Sequence, residues 1–174
     1  MPSLEELFQG RLDLRRLGSL WLVWNDQGLV AVRWNEGGPM ADVQVRKRLP
    51  TAYTAPLRDL DRGRPVDLAR IPIVLGGTPF QRKVWQALRR IPAGRVRTYA
   101  GVAKDIGNPR STRAVGMANG ANRLPIVVPC HRVVSAGSTL GGYSGGIERK
   151  RLLLELEGVE FEGDLVLPGQ LTLF

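Results

Sequence analysis

Cys130 and His131 are the one cysteine and the one histidine in a chain of 174 residues, and they stand side by side in Pro129-Cys130-His131-Arg132-Val133. A free thiol is only a few per cent ionised at neutral pH, so a nucleophilic cysteine needs a base or a positive neighbour. His131 and Arg132 offer both. A thiol so activated can attack an electrophilic carbon, either with hydrolytic turnover or by keeping the transferred group on sulfur. The alternative is that Cys130 is a small buried hydrophobe, the commoner fate of a free thiol. No disulfide can form within the chain, and one Cys with one His falls short of the ligands zinc requires. No metal or other cofactor is therefore expected.

These residues need elements to carry them. Ile126-Val127-Val128 is a short β-branched run that reads as a buried strand delivering Cys130 at its end. Neighbours on a strand point to opposite sides, so Cys130 and His131 are expected to communicate through a water rather than directly. Upstream, Phe80, Val84, Ala87, Leu88 and Ile91 line one helix face, with Thr78 and Gln81 as a capping box and Pro79 in the first turn. A second helix follows Thr98 through Tyr99, Val102, Ala103 and Ile106 and ends at Gly107. A third is expected from Asn108-Pro109 to Gly120. Two short helices across a tight turn suggest a helix-turn-helix, although a plain helical packing unit fits the same pattern. On the third helix Ser111, Thr112, Ala114 and Gly116 are small enough for close approach to a nucleic acid, and Arg113 is the long side chain among them.

Towards the amino terminus, the apolar runs 19–25 and 29–35 flank Asn25-Asp26-Gln27-Gly28 and read as a β-hairpin. Residues 71–75 look like a further strand, 54–66 like a Pro/Gly/Arg-rich loop, and Gly76-Gly77 like a junction. The net charge is +9. Residues 78–151 hold 14 Lys and Arg against two Asp and Glu, whereas 152–174 hold no basic residue and five acidic ones. Confining the positive charge to one segment favours a polyanion partner over a merely solvated surface. No apolar run approaches a membrane span, and the first residues lack a secretory layout, so a cytoplasmic protein is expected.

Pro129-Cys130-His131-Arg132-Val133, followed by Tyr143-Ser144-Gly145-Gly146 and Glu157-Gly158, resembles the O6-alkylguanine-DNA alkyltransferase family. The likeness runs from about Thr78 to Gly158 and includes Gly107-Asn108-Pro109, Arg113-Ala114-Val115-Gly116 and Asn122. It implies an α/β (α+β) chain with an amino-terminal sheet domain (1–77), an alkyltransferase and DNA-binding domain with a helix-turn-helix of the winged-helix type (78–160), and a tail (161–174). It further implies DNA repair by direct reversal: Cys130 accepts the alkyl group of O6-alkylguanine, and of O4-alkylthymine, in one irreversible turnover. His131 resembles the base acting through water, and Glu157, marked out from Glu155 two residues earlier by its place before Gly158, the carboxylate that orients it as in a triad. Tyr99 is similar to the tyrosine that turns the phosphate and protonates the departing guanine, and Arg113 to the finger that replaces the flipped base. Tyr143, through its backbone, and Ser144 resemble the groups holding the guanine oxygen, the Val133 carbonyl the acceptor for its exocyclic amine, and Asn122 the hinge between recognition helix and active-site strand. Ser111, Thr112, Ala114 and Gly116 would face the minor groove.

Two other classes compete with this reading. A DNA-binding module without chemistry would not need Cys130, and a cysteine hydrolase would not need an Arg-bearing helix of small residues. A monomer is expected in solution, with duplex DNA carrying O6-alkylguanine as its partner. The end of the chain, Gln170-Leu171-Thr172-Leu173-Phe174, resembles the short peptides that dock bacterial repair proteins on the sliding clamp, with Gln170, Leu171, Leu173 and Phe174 as contacts. Packing of this end on the protein's own core is the alternative.

Overall fold

The computed structural model describes residues 6–170. Three antiparallel strands, β1 (Phe8–Leu14), β2 (Gly18–Trp24) and β3 (Leu29–Trp34), are joined by β4 (Gln44–Val45), parallel to β1, in the order β3-β2-β1-β4. The expected hairpin is β2–β3, and its turn is closed by the Asn25 side chain, which accepts from the Gln27 and Gly28 amides. Alternation puts Leu20, Leu22 and Trp24 of β2 into the core.

The stretch read as a loop from residue 54 is instead mostly helix, α1 (Thr51–Asp61). Pro56 looked like a breaker, yet Tyr53, Leu57 and Leu60 fall on one buried stripe. Asp61 at its end accepts from the amides of Arg15, Arg16 and Leu17 in the β1–β2 turn. Burial of that stripe and these charge-assisted bonds outweigh the missing proline hydrogen bond. The strand expected at 71–75 is also corrected: only Ile73 makes an isolated parallel bridge, to Leu29 at the edge of β3.

After Gly77 come α2 (Pro79–Leu88), with the capping box of Thr78 and Gln81 formed in both directions, β5 (Arg97–Thr98) and α3 (Tyr99–Asp105), capped by Thr98. The next helix, α4, spans Thr112–Gly120 and so begins four residues later than expected. Both the amide and the hydroxyl of Ser111 bond the Asn108 carbonyl, which makes a separate turn before the helix. Then follow β6 (Val133–Val134), parallel to β5, α5 (Ile147–Leu156), and the short hairpin β7 (Phe161–Glu162) and β8 (Leu165–Val166).

One apolar cluster runs without a break from Leu12 through Leu57 and Val84 to Cys130 and Leu156, so sheet and helices share a core across Gly76-Gly77. A smaller cluster of Val96, Val134, Leu140, Leu154, Val159 and Val166 takes in the β7–β8 hairpin. Residues 161–166 are thus packed structure rather than free tail. Among the described residues no helix is long and apolar enough to cross a membrane.

Candidate active site

The run Ile126-Val127-Val128 is fully buried but is not a strand. Ile126 has φ +75°, the Val128 amide bonds the Leu124 carbonyl, and the Val128 carbonyl accepts from the Asn122 side chain at 2.8 Å. The Val128 backbone groups are therefore met by the turn and by Asn122 rather than by a ladder. β-Branched apolar residues reported burial here, not conformation. Cys130–Arg132 form a 3-10 turn, and only Val133–Val134 pair as a strand, with Arg97 and Thr98. Successive side chains on such a turn diverge by about 120°, so Cys130 and His131 still point apart. β5 runs straight into α3, whose first residue, Tyr99, lines the same pocket as Cys130.

Cys130 is 1% exposed and lines a pocket of about 270 Å³ with Tyr99, Gly116, Asn119, Gly120, Gly142, Tyr143 and Ser144. Burial pushes the thiol above its usual pKa of 9.0, while Asn122, Lys150 and Tyr143 beside it pull in the opposite direction. The resting sulfur is a thiol, and the groups around it favour the thiolate once a base has acted. Burial also raises the pKa of both tyrosine hydroxyls, reinforced by charge on Cys130, so both remain donors at neutral pH.

His131 is wholly buried, and its Nε2 lies 2.9 Å from Glu157 Oε1. Burial lowers its pKa from 6.5 despite Glu157. Burial alone would raise the Glu157 carboxyl, but the charge and hydrogen bonds of His131 and Arg132 outweigh it and bring it to about 2. An ionised carboxylate can only accept, so Nε2 carries the proton and donates it. That leaves Nδ1, which has no protein partner among the described residues, with a basic lone pair. Arg132 grips Glu157 through Nε at 2.9 Å and Nη2 at 2.8 Å, and it donates to the Ile91 carbonyl. Its charge thus serves the carboxylate rather than the thiol. Glu155 faces solvent and pairs with Arg151.

The sequence reading missed Lys150. Its side chain is fully buried, and Nζ donates to the carbonyls of Val133 (2.6 Å), Leu140 and Gly142 (3.2 Å). Burial lowers its pKa to about 8, with Cys130 opposing the shift, so it remains largely a cation at neutral pH. A signal existed: Lys150, Leu153, Leu154 and Glu157 repeat at i, i+3, i+4 and i+7, which places two charges on the inward stripe of α5. Val133, expected to bind the guanine amine, thus has one carbonyl lone pair engaged by Lys150.

The helix-turn-helix presents α4 beside the pocket. Thr112 and Arg113 are exposed, Ser111, Ala114 and Gly116 are half-buried, and Met117, one turn after Arg113, is 75% exposed. Trp85 Nε1 donates to the Ala118 carbonyl and fixes the end of α4 on α2. Asn122, just beyond that end, also receives the Leu124 amide on Oδ1. The same side chain therefore links the helix to the turn that carries Cys130.

Residues 79–159 match the family described as 6-O-methylguanine DNA methyltransferase, DNA binding domain. The chain is 41% identical over 155 residues to the methylated-DNA–protein-cysteine methyltransferase of Shigella flexneri, covering 82% of this chain and 91% of that one. Its fold is similar to that of Mycobacterium tuberculosis OGT in complex with DNA, with a TM-score of 0.78 and 38% identity over 86% of this chain and 92% of that one. It is also similar to the O6-methylguanine-DNA methyltransferase of Pyrococcus kodakaraensis, with a TM-score of 0.67 and 30% identity over 88% and 99% of the two chains.

Proposed function

Since the chain belongs to the methylated-DNA–protein-cysteine methyltransferase family, which reverses O6-methylguanine damage by moving the alkyl group to a cysteine, we propose that Cys130 is the acceptor and His131 and Glu157 its activating pair. The observation that carries this reading is the buried relay of Cys130, a neutral His131 with a free Nδ1, and an ionised Glu157. A water between sulfur and Nδ1 takes the thiol proton and passes one to the imidazole, whose new charge Glu157 stabilises. The thiolate attacks the alkyl carbon, the carbon–O6 bond breaks, and its electron pair stays with the guanine. The Tyr99 hydroxyl protonates the departing base. The thioether has no good leaving group, so the protein is consumed.

The remaining roles follow from position. Arg113 on the exposed face of α4 fills the stack left by the flipped nucleotide, and Ser111, Thr112, Ala114 and Gly116 let the backbone approach the minor groove. Tyr143 and Ser144 hold the guanine oxygen, and the free lone pair of Val133 receives its amine. Lys150 positions that carbonyl and favours the thiolate. Residues 78–160 form the reacting unit and 1–77 its support. O4-Alkylthymine is a second substrate of the same pocket. Cys130→Ser should bind lesion-bearing duplex with nearly the parent affinity and transfer nothing; methyl transfer by that variant would remove Cys130 from its role.

Docking of the tail on a sliding clamp rests on the sequence of Gln170-Leu171-Thr172-Leu173-Phe174. Residues 171–174 lie outside the described residues. The Gln170 carbonyl accepts from the Val96 amide, and its side chain accepts from the Glu160 amide, so docking through Gln170 has to break bonds within the chain. Titrating a bacterial clamp with the full chain and with one ending at Gly169 tests this: loss of binding on truncation supports docking. Equal binding by both, or none by either, removes it.

A further inference from the structure

The loop that carries Tyr143 and Ser144 is braced from two sides by neighbouring residues in the first turn of α5. On the inside, Lys150 holds the carbonyls of Leu140 and Gly142. On the outside, Arg149 donates to the Gly145 carbonyl at 3.2 Å and lies 4.5 Å above the Trp34 ring, and its other end forms an ion pair with Glu36. Trp34 ends β3 and Glu36 follows it, so this outer brace comes from the amino-terminal sheet, more than a hundred residues away in sequence.

Gly145 shows how close the fit is. It is buried, and a Cβ added there would come within 2.6 Å of Trp34 Nε1 and 2.7 Å of the Tyr143 ring. The loop backbone is therefore sandwiched between the Trp34 indole and the very tyrosine that reaches over Cys130. The sheet is held to the same region at a second point, where the Val32 amide bonds the Arg123 carbonyl ahead of the Cys130 turn. Sheet and pocket thus share both packing and hydrogen bonds.

We propose that Trp34, Arg149 and Glu36 form a clasp by which the amino-terminal sheet sets the position of the Tyr143–Gly145 wall, making them positioning residues for base binding. None of the three lines the pocket. Their effect passes through Gly145 and Tyr143: the indole holds the Arg149 guanidinium, and the guanidinium holds the Gly145 carbonyl. With the clasp open, the wall samples positions in which the guanine oxygen and the thiol are no longer both in reach. Base binding weakens, and the thiol becomes more accessible. The proposal rests on Cys130 as acceptor and on Tyr143 and Ser144 as the base-holding wall.

The test uses the full-length protein and the free base O6-benzylguanine, which needs no DNA contact. The rate of benzyl transfer to Cys130 is followed against concentration to separate half-saturation from the limiting rate. The variants are Trp34→Ala, Trp34→Phe, Arg149→Gln and Glu36→Gln. Arg151→Ala serves as control, because Arg151 stacks on Phe161 from the same helix but away from the wall. Trp34→Ala and Arg149→Gln should raise half-saturation by about threefold to tenfold with a smaller change in limiting rate. Trp34→Phe should recover most of the loss, and iodoacetamide should label Cys130 faster in the weakened variants. Half-saturation equal to the parent in both Arg149→Gln and Trp34→Ala, or an equal loss in Arg151→Ala, overturns the clasp. Should Trp34→Ala fail to fold, Arg149→Gln on the half-buried side of the clasp decides alone. A parent protein that acquires no benzyl group on Cys130 would overturn the functional reading instead, so the two failures are distinguishable.

Discussion

His131 can act as a base only while its ring is neutral, and burial brings its pKa below 6.5. Transfer from the free base should therefore hold steady from neutral pH down to about 6.5 and fall only below it, as the folded-state pKa is crossed. In His131→Ala that acid limb should vanish, with the rate at neutral pH down by about tenfold to ten-thousandfold and rising with pH towards and beyond the ordinary thiol range. An unchanged acid limb in that variant would place the titrating group elsewhere. Glu157→Gln should slow transfer for the same reason, since an amide cannot stabilise the imidazolium. The nucleophile and its base were legible as the one cysteine beside the one histidine. The choice of Glu157 over Glu155 came from a family resemblance, although the inward stripe of α5 would also have made it. Lys150 went unread because a lysine on an apolar stripe looks like an error until the loop carbonyls that receive it are known.

In the proposed reaction helix α4 enters the DNA, and the exposed Arg113 would mark its working face. Arg113→Ala should reduce repair of lesion-bearing duplex by about fivefold to 150-fold, the equivalent of about 1–3 kcal/mol for an unstacked step left unfilled, while leaving O6-benzylguanine transfer within about twofold. Comparable losses on both substrates would instead indicate damage to the pocket. Helical periodicity and caps revealed α2 and α3 because Thr78, Gln81 and Thr98 act locally. The helix at Thr51–Asp61 was missed because its stability comes from distant partners, the buried face of β2 and the amides of the β1–β2 turn, which outweigh what Pro56 signals. The buried turn at 126–128 was misread for a similar reason: side-chain type reports burial, whereas the Asn122 amide decides how the backbone is satisfied.

At the scale of the molecule, one continuous core joins the sheet to the reacting half, and the positive charge is concentrated in residues 78–151. Duplex affinity should fall linearly with the logarithm of salt concentration as phosphate counterions are released, whereas free-base transfer should respond far less. A flat response for duplex would contradict the phosphate role of that segment. Acid should also unfold the protein through Glu157. Its folded pKa of about 2 lies below the ordinary 4.5, so its stabilisation is complete above 4.5 and is lost as pH falls towards 2. Thermal melting of Glu157→Gln should therefore lose less over that interval than the parent. The most direct test of the whole account is the intact mass of the protein, with peptide mapping, after mixing with excess duplex containing a single O6-methylguanine. The account predicts one methyl group per molecule, on Cys130, with unmodified guanine restored and no second turnover. An unmodified protein, a methyl group on any other residue, or continued repair beyond one lesion per molecule would contradict it.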